Sequence, residues 1–396
     1  MKSQFREFLF EAKQLAGLLA AAATVAVFLY MGVGAVAQSK STLSALPPTP
    51  QAPKDNPTTP AKVALGRLLF WDPLLSGPQD VACASCHHPQ NGYAEDRDLS
   101  LGVTAIGLGS KRRQAPGSSI PIVKRNSPTV LNIAFSGSDQ SGSYDPATAP
   151  MFWDMRVKSL EKQALEPLKA HEEMRGTTYP EDEAVASVVA KLQANAEYRS
   201  LFAGAFGSAQ PVNSENLGRA IAAFERTLLA NNSPFDRYMR GDRSAMTEEQ
   251  VSGMQRFERV GCIKCHNGPM FSDYKLHVMG VPDNPALPAS DDGAEKTYAF
   301  RTASLRNLTF TAPYEHNGMF RTLSDVVGFY EDARGGRSRN PNVSSEKLDP
   351  LIRELGDFDE EDVDLVEFLR ALSDDSFDRT IPERVPSGLP VGGKIQ

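Results

Sequence analysis

Two copies of one pentapeptide decide the fold: Cys83-Ala84-Ser85-Cys86-His87 and Cys262-Ile263-Lys264-Cys265-His266. Together they contain all four cysteines of the chain. C-x-x-C-H is the attachment sequence of c-type haem, in which two thiols bond to one porphyrin and the adjacent imidazole binds the iron. A zinc half-site, a thioredoxin-like redox pair or a disulfide would not need a histidine directly after both pairs. The sequence therefore predicts two covalent haem c groups, held by Cys83, Cys86, His87, Cys262, Cys265 and His266.

The N-terminal segment has the features of an export signal. Lys2, Arg6 and Lys13 precede an apolar run over residues 15–37, which ends in Ala35-Val36-Ala37. This arrangement is typical of a cleaved secretory signal peptide. It predicts a periplasmic protein, because haem c is attached on the exported side of bacterial membranes. The run is about 23 residues long, so an uncleaved membrane anchor stays open as an alternative.

Composition limits the classes of partner. The 396 residues carry a formal net charge of −7, and the sequence pI is near 5.5. This acidic balance argues against nucleic-acid binding. It would suit a basic electron donor, although a modest excess of acidic residues is also ordinary for solubility.

Hydrophobic periodicity predicts a mainly α-helical protein. The chain length and the two attachment sequences predict two cytochrome-c-like domains, each carrying one haem. The predicted segments are a signal peptide (1–37), a Pro-rich tether (38–60), an N-terminal haem domain (61–210), a C-terminal haem domain (211–380) and a tail (381–396). The predicted helices cover residues 62–70, 159–170, 181–193, 214–229, 247–260 and 357–372. Residues 99–122 are predicted to form a long loop, and the alternating patterns typical of strands are scarce.

Several motifs between residues 61 and 375 carry a family resemblance. Among them are Arg125-Asn126-Ser127-Pro128-Thr129, Phe152-Trp153-Asp154-Met155-Arg156, Leu305-Arg306-Asn307 and Thr311-Ala312-Pro313-Tyr314-Glu315-His316-Asn317-Gly318. In this order they resemble the bacterial di-haem cytochrome c peroxidase family and, within it, the MauG-like branch. The resemblance implies that the N-terminal haem reacts with hydrogen peroxide and that the C-terminal haem supplies electrons.

The resemblance also implies residues for the pocket of the reactive haem. His87 matches the proximal iron ligand, and Gln163 and Glu173 match a glutamine and a glutamate that line the distal pocket. Pro167 matches a residue that shapes access beside them. A carboxylate held over the iron could shuttle a proton between the two oxygens of peroxide. From the residues alone, a solvated surface pair with Glu172 is the alternative for Glu173.

The second haem departs from the ordinary peroxidases of the family. Those have a methionine ligand fourteen residues after the histidine of the Pro-Tyr-x-His-x-Gly motif, and here the position fourteen after His316 is Tyr330. MauG-like members have a tyrosine as this axial ligand, so the resemblance implies that His266 and Tyr330 hold the second iron. A phenolate would stabilise ferric iron and lower its reduction potential. Met319 or His277 is the alternative ligand.

Three further positions bear on electron transfer and activation. Trp153 matches the aromatic residue between the two haems, where an indole could pass electrons, although a buried core tryptophan is the alternative. No histidine occurs between His88 and Arg125, where ordinary members have one that caps the reactive iron, so a five-coordinate or water-bound haem is predicted. Val260 stands where MauG has a tryptophan that passes electrons from its protein substrate. Tyrosines that could serve another route are Tyr238, Tyr274 and Tyr314.

Calcium is the last cofactor that the resemblance implies. The family holds this ion between its domains through one asparagine side chain and two backbone carbonyls. The matching residues here are Asn126, Thr311 and Pro313, and oxygen donors of this kind suit a hard cation.

Three functions stay open at the level of sequence. The first is a hydrogen-peroxide-dependent oxidase that acts on a partner protein or another external reductant, and it is favoured by Tyr330 and the missing loop histidine. The second is a cytochrome c peroxidase that reduces peroxide to water with electrons from a small cytochrome or cupredoxin. The third is a di-haem electron-transfer cytochrome without catalysis, which Gln163 and Glu173 disfavour.

Overall fold

Helices make up most of the regular secondary structure in the described part of the chain, which comprises residues 43–207, 209–358 and 362–396 of the computed structural model. The α-helices of this part are α1 (Pro60–Trp71), α2 (Cys83–Cys86), α3 (Leu160–Gln163), α4 (Glu166–Lys169), α5 (Ala184–Ala194), α6 (Ala196–Phe206), α7 (Ser214–Glu225), α8 (Pro234–Met239), α9 (Glu248–Val260), α10 (Leu323–Arg334) and α11 (Asp362–Ala371). A π-helix follows α4 at His171–Arg175. Within the described ranges, no helix has the length and apolar character that a membrane span requires. The predicted signal peptide lies outside these ranges.

The strands are short. They form three antiparallel pairs of two residues each: β1 (Ala105–Ile106) with β2 (Arg113–Gln114), β3 (Pro150–Met151) with β4 (Val157–Lys158), and β5 (Leu276–His277) with β6 (Phe300–Arg301). Turns of 3-10 helix lie at Pro73–Leu75, Pro89–Asn91, Gly109–Lys111, Ile133–Phe135, Cys262–Lys264, Leu308–Phe310, Ser345–Lys347 and Pro350–Glu354. The prediction of a mainly helical fold is confirmed, and the division into two domains stays a prediction.

Local signals in the sequence account for several helix ends. Helix α9 begins with a capping box, in which the Gln250 amide donates to the Thr247 hydroxyl and the Thr247 amide donates to the Gln250 side chain. The single helix predicted over 159–170 is instead α3 and α4. Pro167 lies in α4 and has no amide hydrogen to donate to the preceding turn, so one continuous helix cannot form there.

Helices α1 and α7 form the centre of the N-terminal half. Leu65 and Leu69 of α1 pack with Leu217 and Ile221 of α7 in one buried cluster. The two backbones approach closely, because a Cβ atom on Gly66 would lie 2.0 Å from the carbonyl oxygen of Ala220. The predicted boundary at residue 210 therefore lies before a helix that packs into the core of the N-terminal half.

The C-terminal half is built around aromatic rings and one buried ion pair. Its core contains four phenylalanine rings with centroids 5.1–6.1 Å apart, which are Phe235, Phe257, Phe271 and Phe368. Arg306 lies against two of these rings and pairs with Asp236 at 2.8 Å. Arg306 also donates two hydrogen bonds to the carbonyl oxygen of Pro269, which fixes the loop after the second haem-attachment sequence.

Both ends of the described chain pack across the fold. Near the start, the Leu46 amide donates to Asp236 at 2.9 Å, and Leu46 is buried. Near the end, the Ser387 hydroxyl donates to Asp72 at 2.7 Å. The carbonyl oxygen of Gly392 accepts a hydrogen bond of 2.8 Å from the hydroxyl of Ser85, which lies inside the first haem-attachment sequence. Residues 381–396 therefore support the helix that carries the first pair of thiols.

Candidate haem sites and the cavities around them

The first haem-attachment sequence is held in a defined conformation. Cys83 and Cys86 lie on helix α2, and the Ala82 amide caps its start by donating to the Ser85 hydroxyl at 2.8 Å. His87 directs its Nδ1 to the carbonyl oxygen of Tyr93 at 3.1 Å. A backbone acceptor at Nδ1 fixes the ring and leaves Nε2 available to a metal. Burial lowers the pKa of His87, which favours the neutral ring that binds iron.

The second attachment sequence repeats this arrangement. Cys262 and Cys265 lie at a 3-10 turn, and His266 directs its Nδ1 to the carbonyl oxygen of Phe271 at 3.0 Å. Burial again lowers the pKa of His266. Both sites thus offer two thiols and one oriented imidazole, which is the donor set that haem c requires.

Tyr330 faces His266 across the C-terminal cavity, which we define as the cavity lined by Cys262, Cys265 and His266. The hydroxyl oxygen of Tyr330 lies 3.5 Å from Nε2 of His266. Two ligands on opposite sides of one metal ion, each about 2 Å from it, would be on the order of 4 Å apart. The pair is therefore close to the separation that two axial ligands of one iron need.

The protonation of Tyr330 fits the same assignment. Burial, followed by the charge of Glu315, raises the pKa of Tyr330 well above its usual value. The phenol would thus be neutral in this cavity unless a cation lay beside it. A bound metal ion reverses this preference and favours the phenolate.

His277 is occupied by other partners. Its Nδ1 lies 2.6 Å from Asp349 and its Nε2 lies 3.1 Å from Asp273, so neither ring nitrogen is directed at the place between His266 and Tyr330. Hydrogen bonds to Asp273, then to the Cys265 thiol and to Asp349, raise the pKa of His277 to about 11. Cys265, Asp273 and His277 lie close enough to hold a metal ion, but the thiol of Cys265 belongs to the haem-attachment sequence.

A second cavity, here called the N-terminal cavity, surrounds the first attachment sequence. Lining it are four residues predicted for the reactive site, namely His87, Gln163, Pro167 and Glu173. Gln163 ends α3, Pro167 lies in α4, and Glu173 lies in the π-helix. Three short helical segments thus bring the predicted side chains to one space.

Glu173 is a buried carboxylic acid whose backbone is fixed by a neighbouring loop. Burial, reinforced by the charge of Glu172, raises the pKa of Glu173 to about 7. Its backbone is held by the loop at 99–122, because the Val103 amide donates to the Glu173 carbonyl at 2.9 Å. A Cβ atom on Gly102 would lie 2.2 Å from the same carbonyl oxygen, so only glycine permits this approach. Arg112 stiffens the loop by donating to three carbonyl oxygens, those of residues 101, 102 and 107.

Trp153 lies where the two cavities meet. Both cavities are lined by Asn126, Thr129, Trp153 and Arg301. The indole nitrogen of Trp153 donates to the carbonyl oxygen of Asn126 at 3.1 Å. Its ring meets His316 edge-on, with centroids 6.5 Å apart. A place for Trp153 between two haems stays a prediction.

The residues predicted to bind calcium share one cavity. Asn126, Thr311 and Pro313 all line the C-terminal cavity. The backbone amide of Asn126 donates to the carbonyl oxygen of His316 at 2.8 Å. This bond joins the two segments that carry the predicted ligands. The structure thus brings together the three residues that the resemblance implied.

The tyrosines that could serve another electron-transfer route do not all line the C-terminal cavity. Tyr274 and Tyr314 line the C-terminal cavity, whereas Tyr238 is outside its lining in the described residues. Val260 is buried in an apolar cluster.

Arg301 and Glu315 also line the cavities, but neither was predicted from the sequence as a site residue. Glu315 lies inside the motif that begins at Thr311, and Arg301 lies shortly before the motif that begins at Leu305. Neither residue has a spacing in the sequence that marks it as functional.

Comparison with known proteins decides the family. The sequence model described as di-haem cytochrome c peroxidase matches residues 60–244. Cytochrome-c peroxidase IdrP1 of Pseudomonas sp. strain SCT is 35% identical over 367 residues, which cover 84% of this chain and 85% of that protein. This chain belongs to the di-haem cytochrome c peroxidase family.

The relatives of this chain carry two kinds of name. Methylamine utilization protein MauG of Methylorubrum extorquens is 35% identical over 337 residues, covering 84% of this chain and 83% of that protein. The crystal structure of a MauG-like protein associated with microbial copper homeostasis matches with a TM-score of 0.66 at 27% identity, covering 84% of this chain and 95% of that one. The chain is therefore an oxidoreductase of the di-haem peroxidase and MauG class, and the family implies two haem c groups.

Proposed function

We propose that this enzyme is a hydrogen-peroxide-dependent, MauG-like oxidase of the periplasm that oxidises a partner protein or another external reductant. One observation carries the proposal, the 3.5 Å separation between the Tyr330 hydroxyl and Nε2 of His266. It supports a His and Tyr ligand pair at the second haem in place of the His and Met pair of ordinary peroxidases. A tyrosine ligand favours the oxidised states of iron. The second haem would then store oxidising equivalents for release to a reductant.

The N-terminal cavity supplies the proton chemistry. When bound at Cys83, Cys86 and His87, the haem would supply the redox chemistry. Reduction of one hydrogen peroxide to two waters consumes two electrons and two protons, so protons must also move. With a pKa of about 7, Glu173 is partly ionised at neutral pH and can accept a proton and return it. Gln163 can orient peroxide through its amide, and the ring of Pro167 narrows the approach without adding a competing donor.

The reactive haem is proposed to keep an open position. His87, the proposed proximal ligand, is the only histidine among the described residues that line the N-terminal cavity. His88 is directed elsewhere, since its ring meets Trp71 edge-on and its Nδ1 accepts from the Gln90 amide at 3.2 Å. Peroxide would therefore reach the iron without prior reduction of the second haem. Trp153 is proposed to relay electrons between the haems.

Calcium between the cavities is a further part of the proposal. Asn126 would supply its side-chain oxygen, and Thr311 and Pro313 their carbonyl oxygens. The shared cavity supports this set. Metal analysis of the purified holoprotein should find about one calcium per chain, and a protein free of calcium with unchanged spectra would contradict it.

Peroxide scavenging is the second candidate function. It is favoured by the name of IdrP1, a cytochrome-c peroxidase at 35% identity. In that case the electrons would come from a small cytochrome or cupredoxin.

One experiment separates the two candidates. The holoprotein is mixed with hydrogen peroxide and either reduced cytochrome c or a set of candidate periplasmic proteins. Mass spectrometry then measures oxidised tryptophan and tyrosine in each candidate, with Glu173→Gln as the inactive control. Oxidation of a partner that depends on Glu173, with slow cytochrome turnover, supports the oxidase. Fast cytochrome turnover without partner oxidation rejects it in favour of scavenging.

A further inference from the structure

Arg301 holds the backbone at the junction of the two cavities. It lies on β6, which pairs with β5. Its amide donates to the carbonyl oxygen of Trp153 at 2.7 Å, and its Nε donates to the carbonyl oxygen of Phe152 at 3.1 Å. Arg301 lines both the N-terminal and the C-terminal cavity. The backbone and the Nε atom of Arg301 are therefore fixed by two carbonyl oxygens, and the residue lines both cavities.

The guanidinium of Arg301 lacks an acidic partner in the part of the chain that the structure describes. Burial lowers the pKa of Arg301. The neighbouring Tyr274 opposes this shift, and no carboxylate contributes to it. Two other buried arginines each have a carboxylate partner. Arg306 lies 2.8 Å from Asp236, and Arg226 lies 2.7 Å from a glutamate. Arg301 is thus a half-buried cation that has no carboxylate within ion-pair distance among the described residues.

A haem in either cavity would cover this cation further. Covering an unpaired charge is unfavourable, and the loss is offset when an anion pairs with it. The anionic groups of haem are its two propionates. An arginine fork matches a carboxylate with two parallel hydrogen bonds. The shape and the charge of Arg301 therefore fit a propionate.

We propose that the two terminal nitrogens of Arg301 bind one haem propionate in a bidentate pair. Either haem can supply this carboxylate, since Arg301 lines both cavities. The contact ties the edge of one porphyrin to the segment that carries Trp153, because the same arginine holds the carbonyls of residues 152 and 153. Arg301 would thereby fix the distance between a haem and the indole as well as the charge at the haem edge.

The charge has a measurable consequence. A cation beside a propionate favours ferrous haem, so its removal makes that haem harder to reduce. For Arg301→Gln we expect the ferric-to-ferrous ratio of one haem to rise about tenfold at a fixed applied potential. For a one-electron couple this corresponds to a fall in midpoint potential of about 59 mV.

The test is an equilibrium redox titration of holoprotein that contains both haems. Arg301→Gln is compared with Arg321→Gln, a matched control that removes an exposed arginine outside the lining of either cavity. Absorbance and low-temperature electron paramagnetic resonance spectra follow the two haems separately. A shift at the high-spin haem identifies the N-terminal propionate, and a shift at the low-spin haem identifies the C-terminal one. Potentials equal to those of the control at both haems overturn the proposal.

Arg301→Lys keeps the charge but cannot form the bidentate pair, and it carries the test if Arg301→Gln does not yield folded holoprotein. We expect a shift at the same haem and in the same direction, but smaller than tenfold. Wild-type potentials at both haems in Arg301→Lys overturn the bidentate contact.

Discussion

Removing the carboxyl group of Glu173 should slow the reaction with hydrogen peroxide and abolish its pH dependence near neutrality. Burial, with the charge of Glu172, raises the pKa of Glu173 to about 7. With that pKa, roughly a tenth of the carboxyl groups are ionised at pH 6 and roughly nine-tenths at pH 8. Because the ionised form accepts the proton, the second-order rate constant of the wild-type protein should rise about tenfold over this interval.

Glu173→Gln keeps the approximate shape of the side chain and removes its acid–base group. Acid–base catalysis typically contributes about 10² to 10⁴ in rate, so the rate constant should fall by about that factor and become flat with pH. The assay is stopped-flow absorbance of the ferric holoprotein after mixing with hydrogen peroxide, from about pH 5.5 to about pH 8.5. The raised pKa also makes folding stability fall as pH rises from the unfolded value of 4.5 towards about 7, since the folded protein binds the extra proton.

Glu172→Gln is the matched control for this experiment. It removes the neighbouring charge that raises the pKa of Glu173, so the midpoint of the rate profile should move to lower pH while the profile keeps its shape. A Glu173→Gln protein with wild-type rates and a wild-type pH profile would refute the assignment of Glu173 as the proton carrier.

Two further substitutions test the support of the site and of the fold. Gly102→Ala places a methyl group 2.2 Å from the Glu173 carbonyl oxygen, so stopped-flow rates with peroxide should fall while the spectrum of the C-terminal haem stays unchanged; a wild-type rate would contradict this. Asp236→Asn leaves the buried Arg306 without its carboxylate and should lower the free energy of unfolding by about 3–5 kcal/mol in urea. Asp378→Asn, which breaks a partly exposed pair, should cost no more than about 1 kcal/mol, and equal losses would reject the reasoning.

Features fixed by neighbouring residues were predictable from the sequence. The attachment sequences, the capping box of Thr247 and Gln250, and the helical content all depend on contacts within a few residues. The predicted pocket residues also meet in one cavity. That prediction depended on the family resemblance, since no periodicity places Gln163 and Glu173 over the same space.

Features that depend on distant contacts were missed or displaced. Helix α10, which carries Tyr330, was not predicted, although Val326, Phe329, Tyr330 and Ala333 form an apolar face that packs in the C-terminal half. Residues 381–396 were predicted as a plain tail, yet Gly392 accepts a hydrogen bond from Ser85. Arg301 was missed because its proposed role depends on two features of the folded chain. These are its place in both cavities and the absence of a carboxylate partner among the described residues.

The proposed difference between the two irons is tested most directly by electron paramagnetic resonance of the resting ferric holoprotein, wild type and Tyr330→Phe. The wild-type protein should show one high-spin signal from the haem at His87 and one low-spin signal from the haem held by His266 and Tyr330. Tyr330→Phe should change the low-spin signal and leave the high-spin signal in place. A wild-type spectrum without a high-spin haem, or a low-spin signal unaltered by the substitution, would contradict the proposed ligation.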